Sequence, residues 1–120
     1  MNKPRYILGI SCFYHDSAAV LLRDGQIVFA SQEERFSRKK HDESFPKLSI
    51  AEALKHAGIT SKDLDAVAFY EKPMLKFFDR ILQTTMKVWP RGFIQYHMAM
   101  QEWMPKKLWI PLIISRELSY

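Results

Sequence analysis

Residues 7–42, ILGISCFYHDSAAVLLRDGQIVFASQEERFSRKKHD, constrain the fold more than any other stretch of this chain. An apolar run, Tyr6–Ser11, ends in the polar turn Tyr14-His15-Asp16-Ser17. A second run, Ala18–Arg23, meets Asp24-Gly25 before a third over residues 26–30. Asp-Gly between two short apolar runs is a strong hairpin signal, so the pattern predicts three strands in an antiparallel meander. The third run places Ile27, Val28, Phe29 and Ala30 in succession, which reads as a strand covered on both faces. After it, residues 33–43 are too charged to be core.

The next segment changes period. Pro46 opens Lys47–Ala57, where Leu48, Ile50, Ala51, Leu54 and Ala57 recur near helical spacing, and Gly58 is a natural stop. Ser61-Lys62-Asp63-Leu64 reads as a short capped turn and residues 66–70 as a further strand. Helix, turn and strand in that order imply a parallel crossover back into the sheet. The expected class is therefore α/β: an antiparallel meander, a crossover helix and a parallel strand over about 1–72. A helical extension over about 73–120 follows. There Pro73 suits a first helical turn, Leu75, Phe78, Ile81, Leu82, Met86 and Trp89 recur at helical intervals, and Pro90-Arg91-Gly92 breaks the run. Residues 93–104 form a second candidate helix rich in methionine and aromatics. Pro105 and Pro111 punctuate a hydrophobic tail, LWIPLIISRELSY, whose apolar surface calls for a partner or more chain.

Composition narrows the class. At 120 residues the chain has the size of one modest domain, and 48% hydrophobic with 26% charged residues is globular rather than disordered. A net charge of +5 favours anionic partners, although basic residues spread this widely also make an ordinary solvated face, and no nucleic acid partner is expected. Cys12 is the only cysteine, so no internal disulfide forms, which fits a reducing compartment. The apolar run at the start is too short for a signal peptide, and nothing approaches the roughly 18 apolar residues of a membrane span. The expected location is cytoplasmic, with no membrane partner.

Two clusters carry the candidate chemistry. His15-Asp16 follows a strand, where an imidazole beside a carboxylate serves as a general base or orients a hydroxyl; equally, either residue caps a turn by bonding backbone amides. Ser17, at the edge of this turn, offers a hydroxyl and backbone N–H groups to an anion. Glu33, Glu34 and Arg35, followed by Arg38, Lys39, Lys40, His41 and Asp42, either grip phosphate or sugar through arginine forks or form a solvated loop. Tyr70-Glu71-Lys72-Pro73 is a similar case at another strand end. Cys12 reads as strand-end packing, His56 and His97 as structural or exposed, and the methionines as packing rather than a cofactor box. Glycine-rich phosphate loops, CxxC, HExxH and GxSxG are absent from the sequence.

Taken together, ILGISCFYHDSAAVLLRDG, SQEERFSRKKHD, FP, LDAVAFYEKP and PRGF resemble the N-terminus of the nodulation-type O-carbamoyltransferases, which act in antibiotic and nodulation-factor biosynthesis. The likeness is strong over residues 7–91 and looser after Phe93. It implies the N-terminal part of a Kae1-like domain of the actin/Hsp70/sugar-kinase (ribonuclease H-like) superfold. In that family a C-terminal YrdC-like domain makes carbamoyladenylate from carbamoyl phosphate and ATP. The Kae1-like domain then passes the carbamoyl group to a hydroxyl of a sugar or antibiotic-type acceptor. Its metal, iron, sits on a histidine pair downstream of the matched region, which His97 does not match.

By that resemblance His15 and Asp16 fall in the transfer site as catalytic residues. Ser17, Glu33, Glu34, Arg35 and Arg38 are then substrate- or nucleotide-binding, or only brace the site. No metal ligand, cofactor or YrdC-like domain is expected within these 120 residues, whereas the full-length family uses ATP and iron. The expected partners are a carbamoyl donor, a small-molecule hydroxyl acceptor and a missing C-terminal portion, so the chain reads as a fragment, inactive alone. Two competing readings are a relative of the tRNA threonylcarbamoyl transferases and a non-catalytic basic binding module or gene remnant. YHDSAA and EERFSRKKHD favour the antibiotic-type family over the first.

Overall fold

The computed structural model describes residues 3–118, which form two compact units. The first runs up to Tyr70 and includes Leu118, and the second spans Glu71–Glu117.

The first unit is built on a four-stranded mixed sheet in the order β3-β2-β1-β4. Strand β1 (Tyr6–Ser11) pairs antiparallel with β2 (Ala18–Arg23), Tyr6 opposite Arg23 and Ser11 opposite Ala18. The Asp24-Gly25 turn, with both residues at positive φ, returns the chain as β3 (Gln26–Gln32), which carries a bulge opposite Leu21 and Leu22. This is the turn chemistry that a two-residue hairpin demands. A short helix, α1 (Glu34–Ser37), precedes α2 (Lys47–Ala57), which stops at Gly58 in the left-handed conformation. A 3-10 turn, Ser61–Asp63, held by a Thr60–Asp63 capping box, leads into β4 (Ala66–Phe69), parallel to β1 with Ile7 opposite Ala66.

Alternation along β1 explains the layering. Tyr6, Leu8 and Ile10 are buried on one face with Ala19 and Leu21 of β2, and Ile50 and Ala53 of α2 are buried with them in the core. The opposite face carries Gly9, Ser11, Ala18, Val20, Ala30 and Ala68 and forms an open concavity of about 590 Å³. Gly9 has a steric reason: a Cβ there would lie 2.7 Å from Val20 Cγ1.

Two expectations are corrected. Strand β3 is an edge strand, not a strand covered on both faces: no residue of it is buried and Ile27 is 68% exposed. The charged segment after β3 is not wholly solvated either, since Glu33 and Asp42 are buried. Both carboxylates are offset by backbone N–H groups, which is what permits a charge inside. Glu33 accepts Leu48 N–H at 3.0 Å and Ser49 N–H at 2.8 Å, so it caps the N-terminus of α2 from another segment. Asp42 accepts the N–H of Ser44 at 3.0 Å and its hydroxyl at 2.6 Å.

The second unit is helical. Residues 73–87 form one continuous helical run, α3 (Pro73–Lys76) and α4 (Gln83–Lys87) flanking a π-helical stretch at Phe77–Leu82. After the Pro90-Arg91-Gly92 break come α5 (Phe93–Trp103) and, beginning beside Pro111, α6 (Ile110–Glu117). Phe77, Trp103 and Ile110 are buried, with the Phe77 and Trp103 ring centroids 6.2 Å apart. The ammonium groups of Lys76 and Lys107 lie 5.8 and 5.5 Å from the Trp103 ring centroid, on the cation–π scale.

Candidate functional site

The loop between β1 and β2 leaves the sheet at the C-terminal end of β1, the end at which the open concavity lies. It is stitched to the segment following α1 by main-chain bonds. Phe13 N–H donates to Glu43 O at 2.8 Å, Ser17 N–H to Asp42 O at 2.7 Å, and the Ser17 hydroxyl to Ser44 O. Phe13 and Asp16 in the loop, and Arg38 and His41 in the facing segment, all have positive φ. Such backbone is costly for side chains with a Cβ and gathers where the surrounding structure enforces it.

This stitching brings together residues far apart in sequence. Asp16 accepts one hydrogen bond on each carboxylate oxygen, from His41 Nδ1 to Oδ1 at 2.9 Å and from His15 Nδ1 to Oδ2 at 3.0 Å. The His41 bond, then the His15 bond, hold the Asp16 carboxyl below the usual carboxylate range, and the same contact raises the His41 imidazole. An ionised carboxylate only accepts, so both Nδ1 atoms carry hydrogen and both Nε2 atoms are free of that bond. Glu34 stands beside the pair: its Oε2 accepts the His41 backbone N–H at 3.0 Å. His15 and His41 are mostly exposed, and the Tyr14 ring centroid lies 4.4 Å from that of His15.

The other expected site residues divide by environment. Ser17 is fully buried with its hydroxyl and N–H both spent on the 42–44 segment, so it braces the loop rather than offering itself to an anion. Glu33 is likewise committed to α2. Arg35 and Arg38 are exposed, and no hydrogen bond or ion pair among the described residues engages their guanidinium groups. Cys12 is buried, and burial pushes its thiol up to about 12, which removes it as a nucleophile. His41, which the sequence places in the charged cluster after β3, joins Asp16 instead, a pairing that sequence reasoning did not foresee. It sits 25 residues from Asp16, and its only sequence signal is a second His-Asp pair after the sheet.

A half-buried carboxylate thus bridges two exposed imidazoles at the C-terminal end of β1. Comparison with known proteins gives the family. The carbamoyltransferase N-terminus family matches residues 6–120, and the chain belongs to it. An uncharacterized protein of Synechocystis sp. is 48% identical over 114 residues, covering 95% of this chain and 18% of its own length. The nodulation protein NolNO of Sinorhizobium fredii is 48% identical over 58 residues, 48% of this chain and 8% of that protein. An uncharacterized 19.2 kDa protein of Rhizobium etli is 43% identical over 58 residues. The chain thus spans under a fifth of the Synechocystis relative. No helix among the described residues is long and apolar enough to cross a membrane.

Proposed function

We propose that this chain supplies one wall of a carbamoyl-transfer site, with His15 as general base and Asp16 as the group that orients it. The observation that carries the reading is the 3.0 Å bond from His15 Nδ1 to an Asp16 carboxylate held ionised by His41. With Nδ1–H fixed on Asp16, neutral His15 presents the Nε2 lone pair to an acceptor hydroxyl. As the hydroxyl proton passes to Nε2, the oxygen forms a bond to the carbamoyl carbon. The bond from that carbon to the phosphate oxygen of carbamoyladenylate breaks, and AMP leaves. The resulting imidazolium is stabilised by Asp16.

The uncommitted guanidinium groups of Arg35 and Arg38 fit the negative charge of such a donor. The acceptor is a hydroxyl of a sugar or antibiotic-type molecule, and the superfold is the actin/Hsp70/sugar-kinase type, which a β-meander followed by a parallel crossover supports. ATP, carbamoyl phosphate and iron are assigned to the longer cytoplasmic enzyme, where a histidine pair downstream of this segment would hold the iron and the iron would supply Lewis-acid chemistry.

The test is made in a carbamoyltransferase polypeptide that contains this segment. His15→Ala and Asp16→Asn each lower carbamoyl transfer on the order of 10²-fold while carbamoyladenylate still forms. Mass spectrometry of the acceptor and of the adenylate reads both. Undiminished transfer in either variant overturns the assignment.

A further inference from the structure

The sequence reading expects no metal ligand in this chain; the geometry points to one site. We infer that Asp16, Glu34 and His41 bind a divalent first-row transition cation of the Mn²⁺ type. Each offers one ligand atom, and the three atoms lie within 4.8 Å of one another. An ion with bonds of about 2.1 Å sets neighbouring ligands about 3.0 Å apart and opposite ones about 4.2 Å apart. The separation of 2.9 Å between His41 Nδ1 and Asp16 Oδ1 matches a neighbouring pair. A cation replaces the proton of that hydrogen bond without moving either backbone.

Glu34 closes the third side. Its Oε2 is steadied by the His41 N–H, Oε1 has no hydrogen bond among the described residues, and a carboxylate oxygen already lies within 4.8 Å of the other two ligand atoms. The cluster is not a chance gathering of acids on a mobile surface. Its members come from the β1–β2 loop, from α1 and from the segment after α1, and the main-chain bonds Phe13–Glu43 and Ser17–Asp42 tie the outer two together. His15, on the remaining Asp16 oxygen, is the outer partner that orients a ligating carboxylate.

Donor chemistry sets the class of ion. Two carboxylates with one imidazole, and no thiolate, suit Mn²⁺ or Fe²⁺ better than an all-oxygen Ca²⁺ site or a sulfur-rich Zn²⁺ site. Two carboxylates also balance the charge of a divalent ion. With three protein ligands and two of the residues half-buried, coordination positions remain open to solvent.

The experiment is a Mn²⁺ titration of the 120-residue chain followed by electron paramagnetic resonance and calorimetry, with circular dichroism as the check on fold. Wild type binds one Mn²⁺ per chain. Glu34→Gln and His41→Asn, the second chosen because Asn tolerates positive φ, each weaken binding on the order of tenfold or more. Absence of one-to-one binding overturns the site, as does unchanged affinity in either folded variant. If His41→Asn fails to fold, Glu34→Gln decides alone. The readout is binding, not transfer, so its failure leaves the general-base reading standing, and the reverse holds too.

Discussion

The sheet unit and the helical unit close their interiors to different degrees. In the first, Leu8 and Leu21 are wholly buried, and Glu33, Asp42, Ser17 and Ser49 go inside only because each is bonded. No buried side-chain nitrogen or oxygen among the described residues lacks a partner. In the second, Phe77, Trp103 and Ile110 form a small core while Leu75, Met86, Ile94, Met98 and Leu112 are each more than 60% exposed. The contrast teaches that helices form on local propensity and a modest core. A sheet carrying buried charge holds only when distant segments supply its hydrogen bonds.

The largest expected effect tests that contrast directly. Leu21→Ala, at a fully buried position, lowers unfolding free energy by about 3 kcal/mol. Leu112→Ala, 64% exposed, changes it by less than about 0.5 kcal/mol. Denaturant titration reads both, and comparable losses would erase the distinction between the units. Next is the buried carboxylate: Glu33→Ala strands the Leu48 and Ser49 N–H groups and costs about 2 kcal/mol. Amide exchange at those two positions should quicken with it. A neutral effect would mean that the start of α2 does not depend on Glu33.

The smallest effect is one of pH. Bonds from the Thr60 N–H, then the Thr60 hydroxyl, hold Asp63 below its ordinary value of 3.8. A depressed folded-state value means that the contribution is complete above 3.8 and is lost as pH falls below it toward the folded value. Asp63→Asn should therefore lower stability slightly at neutral pH and flatten the acid limb, with the difference from wild type vanishing as the pH falls below 3.8 toward the folded value. An unaltered limb would remove the capping box from the account.

Much of the fold was legible because its signals are local. Tyr6–Ser11, Ala18–Arg23 and Lys47–Ala57 follow from apolar runs, Asp24-Gly25 and the Pro46 and Gly58 punctuation. The covering of β3 was not legible: Ile27-Val28-Phe29 looks like core, but an edge strand is decided by what lies beside it in space. The burial of Glu33 was hidden for the same reason, since its partners lie 15 and 16 residues away. Of the candidate site, His15-Asp16 could be read from a polar turn after a strand. His41 could be read only as part of the charged cluster; its pairing with Asp16 could not, because only the cross-loop bonds bring the two together.

The left-handed backbone at Asp16 and His41 has a consequence for alanine scanning. At either position alanine removes a functional group and also places a residue ill-suited to positive φ, so a loss there mixes two defects. Asparagine separates them, because it tolerates that conformation while giving up the charge of Asp16 or the imidazole of His41. Comparing Asn with Ala at these positions therefore measures how far the shape of the loop, apart from its chemistry, is written into two side chains.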